Sequence, residues 1–379
     1  MFLMPSFENT SPINGAFLLA KYLHDHDYDV SFVSLNDKNK IKNSILEKIK
    51  YSGLKFQCLG INNWPSLLFH KSSVQNYVSK MDIDIVLAYM LRPNLLTASL
   101  KNVVKIAFVR GMLAKAYSLR YNKLVASIPI LLELRALRKM DKIFSLNRAI
   151  TDWLVSEGVD YDKVSTQNNF VDLEYIRSSV TDEYSLDNNN INIGIFCRLI
   201  FTKRVDLALR ALAELIFEYR HYNLRLHIAG DGKLRNNLEN LSIELQIADK
   251  VIFHGHLENP LDLMNSLDIV LLTSKSEGLP RCLLEALSLG KTVISSDLPG
   301  IKELILKNQT GYLFPSGDFE GLALLVDQII RNKSFLPPER LIRYIRENYD
   351  VKVCSEKILD QIKNIYHKIR ENTFINQPI

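Results

Sequence analysis

Two glutamates, Glu277 and Glu285, lie in the run DIVLLTSKSEGLPRCLLEALSLGKTVISS. The run reads as strand, turn, apolar helix, strand. Glu277 falls at the turn. Glu285 falls in the helix's second turn, among Cys282, Leu283, Leu284, Ala286, Leu287 and Leu289. A carboxylate in such company needs a partner. An i,i+4 ion pair with Arg281 is one answer, although the Arg-first order is the weaker one. Ligand hydroxyls are another, because a carboxylate accepts two hydrogen bonds side by side and suits the vicinal diol of ribose. Pro280 fits the first turn of the helix, where its missing N–H would have no partner anyway. Gly278 and Leu279 therefore lead into a helix N-terminus, whose N–H groups and dipole attract phosphate. Upstream, FCRLIFTKRVD places Arg198 and Lys203 in the loop after the strand INIGIF. Two cations next to a helix N-terminus would neutralise a diphosphate. The features describe one ligand: diphosphate between the cations and the helix end, ribose on Glu285, and a further hydroxylated group on Glu277.

Other suggestive clusters carry less. HDHD (His24 to Asp27) looks like a metal cluster, but it falls where a helix gives way to a strand, and no distant ligand set accompanies it. DID (Asp82, Asp84) precedes its apolar strand, where aspartates solvate the strand's start; the metal-binding aspartates of one class of sugar transferases follow theirs. In GDG (Gly230 to Gly232), Arg235 stands where a dinucleotide fingerprint wants its third glycine.

The elements that would position these residues alternate along the chain. DYDVSFVSL, DIDIVLAYM, VVKIAFVRG and KIFSLN read as strands of a first parallel sheet, and INIGIFCRL, LRLHIAG, KVIFHG, DIVLLTS and KTVISS as strands of a second. Helix-length segments separate them, so the expected fold is α/β: two Rossmann-like doubly wound domains facing a central cleft. The polar segment ending at Asn190 reads as the link between them. The expected division is residues 1–176, a linker over 177–189, a second domain over 190–347, and a long amphipathic helix within 348–379. A length of 379 residues with 47% hydrophobic residues suits two cores. The four cysteines have no CxxC or ligand spacing, which predicts reduced thiols in a cytoplasmic protein. No stretch reaches the length of a membrane span, and the N-terminal residues do not read as a signal peptide.

On these residues the chain resembles the retaining glycosyltransferases of family 4, which have the two-domain GT-B fold. Glu277, the GLP after it and Glu285 match that family's paired-glutamate motif, and Arg198 and Lys203 its phosphate-binding cations. HIAGDG, VIFHGH and NNFVD (Asn168 to Asp172) match neighbouring segments, and Gly15 matches the glycine of a first loop that approaches the phosphate. The resemblance is specific from about Ile191 to Phe314. It implies that Glu277 contacts the donor hexose, that Glu285 holds the ribose, and that Gly255 to Leu257 flank the base. The donor site would then comprise Gly15, Arg198, Lys203, Glu277, Gly278, Leu279 and Glu285, with Glu277, Arg198 and Lys203 serving the chemistry. It further implies that the final helix crosses back to the first domain. One position departs from the pattern: where many members carry a histidine, FVRGML has Arg110. Arginine cannot act as a base at neutral pH, but it can hold an anionic acceptor or a donor phosphate.

The expected reaction moves a hexose or N-acetylhexosamine from a nucleotide diphosphate sugar to an acceptor hydroxyl with retention, without metal or other cofactor. Rival readings are a GT-B sugar-nucleotide epimerase, whose acids and base are not found, and a non-catalytic accessory subunit, which would usually have lost a donor residue. Net charge is +5, and the stretch from Thr97 to Ile150 holds eleven Lys/Arg against two acids, interleaved with apolar residues. That is either a solvated helical face or a surface for anionic lipid; no nucleic-acid motif accompanies it. The lipid reading predicts a cytoplasmic enzyme, peripheral on the inner membrane face, acting on a polyprenyl-diphosphate-linked glycan in O-antigen or capsule assembly.

Overall fold

The computed structural model describes the whole chain except residues 37–43, 63–69, 112–122, 182–183, 188 and 376–379. It divides into two units, one made of Met1–Phe170 with Val351–Ile379, the other of Val171–Asp350.

The first unit carries a seven-stranded parallel sheet: β1 (Phe2–Met4), β2 (Ser31–Ser34), β3 (Lys55–Cys58), β4 (Ile85–Tyr89), β5 (Val104–Val109), β6 (Lys142–Ser145) and β7 (Val164–Thr166). Their order across the sheet is β3-β2-β1-β4-β5-β6-β7. The second unit carries β8 (Ile191–Phe196), β9 (Leu224–Ala229), β10 (Val251–Gly255), β11 (Ile269–Leu272), β12 (Thr292–Ser296) and β13 (Tyr312–Phe314), ordered β10-β9-β8-β11-β12-β13. In both sheets the central strands are mostly apolar because helices cover both faces. In both, strand order reverses beside the unit's first strand, between β1 and β4 and between β8 and β11. That reversal splays the loops at the carboxyl ends and opens a crevice there.

β1, β3, β7 and β13 are absent from the sequence reading. They are short: FLM and YLF could belong to any buried segment, and KFQC lies at the sheet edge with its first three residues exposed. The helices that matter for the site are α1 (Ser11–His24), α2 (Lys123–Leu137), α3 (Leu173–Ser178), α4 (Val205–Phe217), α5 (Arg281–Ser288) and α6 (Val351–Ile375).

The boundary between units falls earlier than residue 176. The Val171 N–H donates to the Tyr349 carbonyl (3.0 Å), and the Leu173 N–H to the Asp350 carboxylate (3.2 Å). These bonds tie α3 to the end of the second unit, which runs on to Asp350 rather than stopping at 347. The segment taken as a linker is docked as well: Thr181 N–H donates to Asp262 and the Asn259 amide to the Ser179 carbonyl. α6 belongs to the first unit, where Val351, Cys354, Ile358 and Ile362 join the core formed by Phe2, Phe7, Phe32, Phe108 and Phe144.

Candidate active site

The second unit places Arg198 and Lys203 after β8 and Glu277 after β11, on either side of its strand reversal. The loop after β8 is held from two directions. Gly230 and Gly232, with φ of +133° and +159°, pack their backbones against it; a Cβ on Gly230 would lie 1.9 Å from the Cys197 carbonyl oxygen, and one on Gly232 2.5 Å from that of Leu199. The GDG segment is thus a backbone seat for the Arg198 loop. From the other side, Thr273 Oγ1 donates to the Lys203 carbonyl (3.0 Å) and the Lys275 N–H to that of Thr202 (2.9 Å). The chain then turns through Arg204, at φ 48°, into α4.

These bonds bring Lys203 and Glu277 together. Lys203 Nζ lies 2.5 Å from Glu277 Oε1, with both side chains mostly buried. Burial disfavours the ammonium, but the carboxylate beside it overrides that and raises the Lys203 pKa. Cys197 and Cys282 lie within the field of the same pair. Burial pushes Cys197 up to about 11 and Cys282 higher still, so both are neutral thiols. Arg198 stands exposed in the same loop and, among the described residues, makes no ion pair.

α5 answers the question posed by Glu285. Leu283, Leu284, Ala286 and Leu287 are completely buried, whereas Arg281, Cys282, Glu285 and Leu289 share the one accessible face. Glu285 is therefore at the rim, not inside the core. Its carboxylate stands 3.7 Å from Arg281 Nε, close enough for attraction but longer than a hydrogen bond. The expected i,i+4 pair forms, and its length leaves the carboxylate oxygens able to accept from a ligand. Pro280 is the residue before the helix rather than in its first turn, and no side chain caps the helix start. Gly278 and the buried Leu279 lead directly into it.

The remaining candidates lie in the first unit. Gly15 is inside α1 rather than in a loop, because Pro12 starts the helix early and the Asn14 N–H already bonds to the Thr10 carbonyl. A Cβ at Gly15 would meet nothing within 4 Å, so the surface beside it is open but no packing demands glycine. Arg110 follows β5 and donates to the Gln167 carbonyl at 2.5 Å. Lys115 and Arg120 of the basic stretch, and the side chain of Lys123, lie outside the described residues; Arg138 donates to the Glu157 and Gly158 carbonyls.

The set-aside clusters have local partners. Asp84 receives hydrogen bonds from Tyr366 (3.0 Å) and Arg370 (2.7 Å) of α6. Asp25 pairs with Lys21, and His26 Nδ1 lies 2.8 Å from the Tyr22 carbonyl.

Comparison with known proteins meets this geometry from the other side. The model of glycosyl transferases group 1 matches residues 181–348, and that of glycosyltransferase family 4 matches residues 14–175. N-acetyl-alpha-D-glucosaminyl L-malate synthase of Bacillus anthracis is 32% identical over 54% of this chain and 54% of its own length. The O-antigen biosynthesis glycosyltransferase WclY of Escherichia coli is 27% identical over 49% of each. The chain thus spans about half the length of these two curated relatives. The crystal structure of Anabaena HepE in complex with UDP aligns over 96% of this chain and 99% of that one, with a TM-score of 0.78 at 16% identity. The chain belongs to the family-4, group 1 glycosyltransferases, and its two parallel-sheet domains have the GT-B fold.

Proposed function

We propose that the protein transfers a hexose or N-acetylhexosamine from a nucleotide diphosphate sugar to an acceptor hydroxyl, with retention of anomeric configuration. The observation that carries this is the Lys203–Glu277 pair at the strand reversal, beside Arg198 and the uncapped start of α5. Arg198, Lys203 and the helix N–H groups bind the diphosphate and stabilise the charge that grows on it as the glycosidic C–O bond breaks. Glu277, released from part of its hold on Lys203, accepts hydrogen bonds from the sugar hydroxyls. Glu285 accepts from the ribose. The acceptor oxygen bonds to the anomeric carbon on the face the diphosphate leaves, and the leaving phosphate takes the acceptor proton. No step in this scheme calls for a metal or other cofactor.

HepE supports a uridine donor by its fold and its bound UDP, and WclY supports surface-polysaccharide assembly as the pathway. The acceptor in this reading is a polyprenyl-diphosphate-linked glycan of O-antigen or capsule, met at the inner face of the cytoplasmic membrane. On α2, Ile128, Leu131 and Leu132 are 60%, 63% and 42% exposed and share one helix face with Arg135. An exposed apolar stripe beside a cation suits an anionic membrane interface. Among the described residues no helix is long and apolar enough to cross a membrane.

Release of UDP from a panel of UDP-sugars, with and without lipid-linked acceptor, tests the transfer. Absence of release from every sugar, with a folded chain that fails to bind UDP, would remove the reading. Vesicle co-sedimentation tests the docking: equal recovery of wild type and Leu131→Glu on anionic vesicles would show that the stripe is only a solvated face.

A further inference from the structure

Arg110 is a cation set into the first unit, and among the described residues it makes no ion pair. It follows β5, beside Tyr89 at the end of β4. Its guanidinium donates to the Gln167 carbonyl, lies near enough to the Tyr89 hydroxyl to feel it, and stands 4.9 Å from the Phe108 ring centroid. Phe108 stacks in turn on Tyr89, with centroids 4.4 Å apart. All of these partners are neutral. Among the described residues the titratable groups acting on Arg110 are Tyr89 and Cys354, and burial lowers the Arg110 pKa; a guanidinium nevertheless keeps its charge in proteins. A guanidinium has five N–H donors, and a buried one normally faces a carboxylate. The residue as a whole is half-buried. The adjoining residue points the same way: Met90 has φ 73° and ψ 170°, a region that only glycine occupies without strain, and its side chain stands exposed at the strand end.

From this geometry we infer that Tyr89, Met90 and Arg110 form an anion site at the carboxyl ends of β4 and β5, and that its ligand is a phosphate group carried by the acceptor. The anion site stands on the first unit alone; the word acceptor rests on the transferase reading. The donor diphosphate has its own cations in Arg198 and Lys203, so the first unit's Arg110 is assigned to a different phosphate. A bidentate guanidinium selects a planar pair of oxygens, which favours phosphate or carboxylate over a neutral sugar.

The test uses the full chain saturated with UDP, which blocks the donor cations, and inorganic phosphate as probe. Titration should show a phosphate site that remains in the presence of UDP. Arg110→Gln should lose it by about tenfold or more, the equivalent of one or more charge-assisted hydrogen bonds, while UDP affinity is unchanged. Phosphate should also protect Arg110 of the wild-type chain from phenylglyoxal, read by peptide mass, which needs no variant to fold. The inference is overturned if wild type shows no phosphate site beyond UDP, if Arg110→Gln retains the site, or if phosphate gives no protection. A parallel loss of UDP affinity in Arg110→Gln would assign the site to the donor and overturn the acceptor claim. A chain that binds phosphate at Arg110 but no UDP would sink the transferase reading and leave the anion site standing.

Discussion

The two units share a topology and differ in how they treat a buried cation. Each has a parallel sheet whose order reverses beside its first strand, and each carries cations on the loops at the carboxyl ends. In the second unit Lys203 has a carboxylate at 2.5 Å. In the first, Arg110 has a hydroxyl, a carbonyl and an aromatic face. The paired cation is held in place by its carboxylate before any ligand arrives. The other has no carboxylate paired with it among the described residues, so an arriving anion gains more from it. One fold thus supplies a preorganised corner and a receptive one.

The pair can be broken directly. Lys203→Met should reduce turnover about 100- to 1,000-fold, the range seen on removing one group that stabilises developing charge. UDP affinity should fall far less, because leaving-group charge peaks in the transition state. Steady-state kinetics beside calorimetry with UDP checks this; equal falls in both would reduce Lys203 to a binding residue. Glu277→Gln separates charge from shape, and it should lower the thermal transition as well, since Lys203 loses its counter-ion.

The seat beneath the corner comes next. Gly230→Ala places a methyl 1.9 Å from the Cys197 carbonyl oxygen at a φ of +133°. The loop bearing Arg198 must shift, and stability should fall by about 1–3 kcal/mol for the backbone strain alone. Urea unfolding and the UDP titration read the two effects. A variant with wild-type stability and affinity would show that the loop is not seated by GDG.

Glu285→Ala should weaken UDP binding by about tenfold or more, the loss of hydrogen bonds to a charged acceptor. Arg281→Ala is the control that sharpens it. If the 3.7 Å pair mattered for position, both variants would lose affinity together; if Glu285 serves the ribose, Arg281→Ala should leave binding near wild type.

These contrasts also show what a sequence can carry. The types and spacing of Arg198, Lys203, Glu277 and Glu285 were enough to put them on the loops after β8 and β11 and on the helix that follows, where the structure has them. The Lys203–Glu277 bond was not legible, since 74 residues separate the partners and only the sheet order brings them together. The glycines of GDG were legible as special but not as a seat, because the backbone they receive is some thirty residues upstream. Gly15 was read as a loop residue because nothing in its type reveals that Pro12 starts the helix early. Arg110 was visible as a departure; its neutral surroundings come from Tyr89, Phe108, Gln167 and Cys354, which no local pattern joins. The longer strands announced themselves by mostly apolar runs, while β1 and β13, three residues each, were too short to do so.

The smallest effect sets the units apart by pH. In the second unit His227 Nε2 lies 3.1 Å from Asn192 Oδ1, so Nε2 carries the hydrogen and Nδ1 accepts from His254 Nε2 at 3.0 Å. Burial, with His254 and Arg225 nearby, lowers the His227 pKa to about 4. A second proton on His227 would turn Nδ1 into a donor facing a donor. The unfolded chain binds that proton near pH 6.5, so the contribution of this group to stability is complete above 6.5 and is lost as pH falls towards 4. In the first unit the buried Glu133 receives one hydrogen bond, from the Asn94 amide, and burial raises its pKa to about 7. The sign there is opposite. The folded chain holds the Glu133 proton more tightly than the unfolded one, so its contribution is complete below about 4.5 and is lost as pH rises through 7. Differential scanning calorimetry from pH 4 to 8 should therefore respond in opposite senses to two variants. His227→Gln should flatten the acid side of the curve, and Glu133→Gln the neutral side. If either variant leaves the pH dependence of unfolding unchanged, that group does not titrate as its surroundings require, and the contrast between the two buried networks fails.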